Sequence, residues 1–361
     1  MRKIRKFTAL SAALLFGATL LAFPQQAQAK GDKLHKMYGY MQAWYASGDD
    51  SSNSAASSQT FLMRRARLGM KGTLSDIVSY KILFEGAGNT DQSGAMLDAV
   101  AFLKLAPMAK LEIGQFKYNF DMVGRSSSSS LPFITRPLAT SKVAGKIGTS
   151  YRTVGAQLVG KGKTWGYVLG VNNGQGIKNQ KDGQTGDDGM GLNGQVWAKP
   201  MKGLKIMAGF ASNNDDNTTA GESDSFMTAG LQYHAGPAVL RAEYYNRTLS
   251  KAVGDSQNTV GFYVTGAYSI TEALQLLARY QTVELDTNSN NTTMSSLDLG
   301  INYYLTQDKK GRLFRGTKLT LNYLSRNVES AARSKIFEER GQHLGYGEDT
   351  GTILLQVTVP Y

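Results

Sequence analysis

The sequence predicts an all-β chain: a transmembrane antiparallel β-barrel of about sixteen strands, with long extracellular loops and short periplasmic turns. Three observations lead there. Segments of about ten residues alternate apolar and polar side chains, the length a tilted strand needs to cross a bilayer. The connections between them alternate strictly between long and short, which a soluble sandwich has no reason to do. Finally, the chain finishes on GTILLQVTVPY, whose Ile353, Leu355, Val357, Val359 and Tyr361 share one face, although chain ends usually fray.

Residues 1–29 read as a secretory signal. MRKIRKF carries four positive charges, TALSAALLFGATLLAF is apolar, and AQA at 27–29 is a small-x-small cleavage site. Cleavage leaves a domain at 30–361 with a formal charge of +12 − 4 = +8. No later run of 18 apolar residues predicts a membrane helix. Scarce proline (7) beside plentiful tyrosine (18) suits a chain that is mostly paired strand.

The predicted strands run 37–46, 61–72, 77–86, 96–106, 109–118, 149–161, 164–172 and 190–200 in the first half. In the second half they run 203–211, 224–235, 237–247, 257–269, 272–282, 292–306, 314–327 and 349–361. TLSD, APMA, GKGK, PMKG, HAGP and SITE are tight turns between pairs of them. Trp44, Tyr45, Trp165, Trp197, Tyr303 and Tyr304 fall near strand ends, where interfacial aromatic girdles belong. The final strand must pair with the first to close a barrel. Val357, Val359 and Tyr361 resemble the C-terminal assembly signal of bacterial outer-membrane barrels.

Parity then assigns the lumen. In FLMRRARLGMKG, Leu62, Ala66, Leu68 and Met70 face lipid, turning Arg65, Arg67 and Lys71 inward. Arg64 breaks the parity and implies either an interfacial position or a bulge. The same logic puts Lys81, Glu85, Asp98, Lys104, Lys205, Arg241, Glu243, Arg279 and Lys318 inside. Basic residues outnumber acidic ones there, so the pore is expected to favour anions.

The longest connection, 119–148, reads NFDMVGRSSSSSLPFITRPLATSKVAGKIG. Thirty residues without a strand are usually functional or disordered. Its apolar residues and Pro132 and Pro137 suit a segment packed against something. Folded inward as a constriction loop, it would bring Arg125, Arg136, Lys142 and Lys146 to the pore.

No cofactor is called for. The absence of cysteine excludes disulfides, thiolate metal sites and covalent haem attachment. His35, His234 and His343 share no ligand spacing. GKGKT at 160–164 lacks the preceding glycine of a phosphate-binding loop and sits in a turn. The Asp- and Asn-rich loops lack calcium-loop spacing. No Ser–His–acid arrangement points to an enzyme, and nothing points to a nucleic-acid partner.

From RRARLGMKGTLSDIVSYKILFEGAG through LDAVAFLKLAPMAKLEIGQFKYNF to LPFITRPL, about 61–138, the chain resembles the phosphate-selective porin O and P family. The resemblance implies a sixteen-stranded, usually trimeric porin of the bacterial outer membrane, with an inwardly folded third loop and a basic lumen. It singles out Arg65, Arg67, Arg136 and the basic residues of the long loop. The five consecutive serines and scattered charges of that loop depart from the family's dense arginine ladder. The expected function is passive diffusion of small hydrophilic, mostly anionic solutes. The alternative is a barrel sheath enclosing a cytochrome partner in an electron conduit.

Overall fold

The computed structural model describes residues 35–49, 57–87, 96–143, 151–173, 190–214, 223–251, 254–286, 292–307, 314–329 and 350–361. Residues 1–29, read from the sequence as a secretory signal, and Lys146 lie outside these described residues.

Sixteen strands form one closed antiparallel barrel, each bonded to its sequence neighbours and β1 to β16. They are β1 (His35–Asp49), β2 (Ser57–Thr73), β3 (Val78–Glu85), β4 (Met96–Ala106), β5 (Ala109–Lys117), β6 (Arg152–Lys161), β7 (Trp165–Asn172) and β8 (Gly191–Met201). The circle continues through β9 (Leu204–Asn214), β10 (Ser223–Ala235), β11 (Ala238–Ser250), β12 (Gln257–Ser269), β13 (Leu274–Leu285), β14 (Thr292–Gln307), β15 (Gly316–Glu329) and β16 (Thr350–Pro360). The strand count and the order of the elements match the sequence expectation.

The burial pattern is that of a soluble protein turned inside out. Leu276, Tyr280, Leu297, Leu299, Leu321 and Tyr323 are exposed, while Arg279, Gln281, Asp298, Asn302 and Asn322 are buried. An apolar outer face with a polar interior is stable only against lipid.

Closure explains the terminal strand. Gln42 pairs with Thr358 and Ala46 with Leu354 across the seam. Gly39 and Tyr361 exchange both backbone hydrogen bonds, and the Tyr361 hydroxyl donates to the Arg67 carbonyl at 2.7 Å. Gly39 permits this, because a Cβ there would lie 2.6 Å from the Tyr361 ring and collide with the Arg67 carbonyl.

Two sequence expectations need correcting. The β1–β2 register shifts between Gln42 and Ala43, whose partners are Arg65 and Met63. Arg64 is therefore a bulge residue, and its guanidinium lies 5.1 Å from the centre of the Trp44 ring. The bulge reverses parity beyond it. Leu62, expected toward lipid, turns inward and packs with Trp44, Ile134 and Leu324, while Phe61 and Met63 take the outer face.

The girdle is also half the expected size. Tyr45, Trp165 and Tyr303 lie on the outer face. Trp44 instead turns inward and donates to Gln356 Oε1, Tyr304 donates to Gln275, and Trp197 lies beneath two lysines. Period two forces this, since adjacent residues such as Trp44 and Tyr45 cannot share a face.

Candidate functional site

Residues 118–143 leave the extracellular end of β5 and run along the inner wall of the barrel. Their apolar side chains have a place to go. Tyr118, Phe120, Val123, Leu138 and Val143 pack with Phe226, Tyr245, Tyr263, Val283 and Met294, which β10–β14 turn inward. Farther along, Phe133 packs with Leu277 and Phe314, and Ile134 with Trp44 and Leu354. Gly209 lets the chain lie close against the wall, because a Cβ there would strike the Phe120 carbonyl.

Irregular backbone at membrane depth must be satisfied by the protein itself. Inward side chains of β1, β8, β11, β13, β14 and β15 do this. Asn193 donates to the Asn119 carbonyl and Gln195 to that of Asp121. Gln42 donates to Ser128, Lys318 to Leu131 and Asn302 to Pro132. The Met122, Ile134 and Leu138 amides donate to Glu243, Asn322 and Gln281 respectively, at 2.7, 2.8 and 2.8 Å. Arg279 grips Thr135 with two bonds of 3.0 Å and lies 4.5 Å from the Phe133 ring centre. Both serine-rich and proline-rich parts are thereby held: Ser128–Ser130 form a 3-10 turn and Leu138–Lys142 a short helix.

One anchor is acidic. The Tyr245 hydroxyl lies 2.9 Å from Asp121 Oδ2, 2.9 Å from Glu243 Oε2 and 2.9 Å from Thr140 Oγ1. Tyr263 donates to the same Glu243 oxygen at 2.5 Å. A phenol has one proton to give, so two carboxylates converging on it share an additional proton. Burial raises the Asp121 carboxyl above its ordinary value, opposed by the Tyr245 hydroxyl and the Gly124 amide.

The basic residues sort into three groups. The first is paired with carboxylates on the wall. Arg67 Nε meets Glu85 at 2.8 Å, and Lys81 and Arg152 share Asp98 at 2.5 and 2.6 Å. The second group holds the inner segment. Arg279 and Lys318, expected to line the pore, are 2 % and 1 % exposed and are spent on Asp298, Thr135 and Leu131. Arg136, also expected at the pore, donates to the Val123 and Ser126 carbonyls and lies 4.9 Å from the Tyr151 ring. Lys117 donates to Gly124 and Ser126.

In the third group, Arg65, Lys104, Arg125, Lys161, Lys199, Lys205 and Arg241 form no ion pair with a carboxylate among the described residues. Arg65 has one neutral acceptor, Gln42 Oε1 at 3.3 Å, and its buried Nε has no partner. Its charged neighbours are Arg64, Arg67 and Arg136. Arg125 opens into a cavity of about 680 Å³ between the inner segment and the short-turn end. Lys161, Lys199, Lys205, His234 and Arg315 also line that cavity. Arg241 is bonded to Gln232 beside it, and Lys104 lies on the inner face near the short turns. Lys142 lies in the short helix.

The alignment of β8 already held the signal for Lys199 and Trp197: in LNGQVWAK, Leu192 and Val196 face out, so Asn193, Gln195, Trp197 and Lys199 face in. Lys161 and Arg315 were hidden because they sit at turn edges, where parity is weakest.

A closed sixteen-stranded barrel with its third loop bonded around the interior is the architecture of a diffusion pore. The family model for phosphate-selective porin O and P matches residues 36–229 and 204–335. The chain belongs to this family. It is a porin, a β-barrel channel of the bacterial outer membrane. Among solved structures, the anion-selective porin from Comamonas acidovorans superposes with a TM-score of 0.70 at 13 % identity, covering 91 % of this chain and 99 % of that one. In-vitro folded OmpT of Vibrio cholerae gives 0.66 at 13 % identity, over 92 % and 99 % of the two chains. OmpF of Salmonella typhi, in complex with daunomycin, gives 0.61 at 13 % identity, over 91 % and 97 %. At these identities the likeness shows the fold alone. No curated protein matches the sequence.

Proposed function

We propose that this porin passes small hydrophilic solutes by passive diffusion, favours anions, and performs no chemistry on them. The observation that carries the preference is Arg65: a guanidinium on the inner wall with no carboxylate partner among the described residues and three arginines as its charged neighbours. A mobile anion is the natural counterion for such a cluster, as in pores lined by rings of Arg or Lys. The basic cavity at the short-turn end extends the same field along the route. Arg67 is matched by Glu85 and so shapes the wall rather than adding net charge, whereas Lys81 and Arg152 share the one carboxylate of Asp98. Residues 118–143 act as the constriction: Arg136 braces it through the Val123 and Ser126 carbonyls, and Arg125, Lys142 and Lys146 are assigned to the anion path.

The test is the reversal potential of the purified barrel in a planar bilayer under a potassium chloride gradient. An anionic sign that weakens in Arg65→Gln supports the reading, and a cationic sign overturns it. Titrating phosphate against the chloride current separates a phosphate site from a generally basic pore.

The assembly is proposed to be a homotrimer in outer-membrane lipid, as one of the similar OmpT structures is described in a trimer form. The cytochrome-sheath alternative finds no support. The inner segment is bonded to β1, β8, β11, β13, β14 and β15, and so takes the space an enclosed partner would need.

A further inference from the structure

An inorganic anion needs cations and N–H donors, and gains nothing from an exposed aromatic face. The cavity at the short-turn end nevertheless contains a half-buried one. Trp197 projects inward from β8, and Lys199 Nζ and Lys205 Nζ lie 5.6 and 5.4 Å from its ring centre. Neither lysine forms an ion pair among the described residues. Met122 and Leu204 add apolar surface, Arg125 adds a further positive charge, and Asp121 and His234 also line the cavity. The volume, about 680 Å³, is far larger than a simple ion requires and falls in the range of small-molecule sites.

We infer that this cavity is a binding site for aromatic carboxylates, with Trp197 as the residue that selects the aromatic body. The inference rests on the anion-channel reading and names the solute class that the short-turn end of that channel favours. The guest's carboxylate would sit between the Lys199 and Lys205 ammoniums, where two like charges on one ring favour a counterion. Its flat ring would lie on the indole, displacing water from two apolar faces at once. Offset stacking and the shared cations act on the same guest, so an aliphatic carboxylate of equal charge would gain only half of the interaction.

The experiment is block of the chloride current through the full barrel in a planar bilayer, with benzoate, acetate and inorganic phosphate as probes added to the short-turn side. Benzoate is expected to reduce the current at about tenfold lower concentration than acetate. Trp197→Ala should abolish that difference while the reversal potential stays anionic, and Trp197→Tyr should retain most of it. Lys205→Gln should weaken both carboxylates together. Trp165→Ala, on the lipid face, should leave the benzoate preference unchanged, which excludes an effect of benzoate on the bilayer.

Equal block by benzoate and acetate in the wild-type barrel would overturn the inference. So would a benzoate preference that survives in Trp197→Ala. A cation-selective reversal potential would instead overturn the anion reading beneath it, so the two failures are distinguishable. Folding of each variant is read from heat-modifiable electrophoretic mobility, and Trp197→Leu replaces Trp197→Ala if the smaller side chain prevents folding.

Discussion

Replacing Arg279 with methionine should release the middle of the inner segment without opening the barrel. Arg279 bonds both the carbonyl and the hydroxyl of Thr135, lies over Phe133, and pairs with Asp298 on the neighbouring strand. When the segment detaches from the wall, the Arg279–Asp298 pair persists, so it cancels from the local opening energy. What breaks is two charge-assisted hydrogen bonds, each worth about 1.5 kcal/mol at the low end, and a buried cation–π contact. Overlap between these terms leaves about 3 kcal/mol, or on the order of a hundredfold in the opening equilibrium. Amide exchange of the purified barrel measures it. The Ile134 amide, which donates to Asn322, should exchange about a hundredfold faster in Arg279→Met, whereas amides of β6–β9 should not change. Arg279→Lys should fall between, since it keeps the charge but loses the fork. Exchange at 131–138 within about threefold of wild type would refute the reasoning, because it would mean the packing of Phe133 and Ile134 and the bonds to Lys318, Asn302, Asn322 and Gln281 hold the segment without Arg279.

Three further outcomes follow from the same geometry. Gly39→Val should impair barrel closure by colliding with the Tyr361 ring and the Arg67 carbonyl, read as a fall in the heat-modifiable folded fraction; Tyr361→Ala should impair it less, since it keeps the backbone pairing. The Asp121–Tyr245–Glu243 anchor should loosen as pH rises. A carboxyl raised in the folded state stabilises that state while protonated, so the contribution is full at low pH and is lost as pH climbs through the folded value of Asp121. Protease cleavage within 121–127 should therefore increase with pH in the wild type and become pH-independent in Glu243→Gln, whose amide needs no added proton; an unchanged profile would remove the shared proton from the account. Lys318→Met should destabilise the segment near Leu131 and leave anion selectivity unchanged, because Nζ is spent on that carbonyl; a shift of the reversal potential toward cations would show that Lys318 meets the pore.

Much of the wall was legible in the sequence because a strand has only two faces. Once Leu240 and Tyr244 are placed outside, Arg241, Glu243 and Arg247 must be inside, and the structure places them there. The same rule fails at one inserted residue. In FLMRRARLGM the parity break at Arg64 left an interfacial position and a bulge both open, and assigning Leu62 as if the register ran unbroken sent it to the wrong face. The aromatic girdle failed for a related reason: position along a strand says how high a residue sits, while only parity says which side of the wall it occupies.

The sequence by itself determined the barrel, its strand number, the sorting of long and short connections, and the excess of basic residues inside. These are local properties, carried by period two and by the spacing of turns. Only the tertiary structure decided which cations still act as charges. Arg65, Arg67 and Arg279 look alike in the sequence, yet one lacks a carboxylate partner among the described residues, one is matched by Glu85, and one is spent on Asp298 and Thr135. Pairing depends on what the next strand and the inner segment bring within about 3 Å, and those partners lie 18 to 144 residues away in the chain.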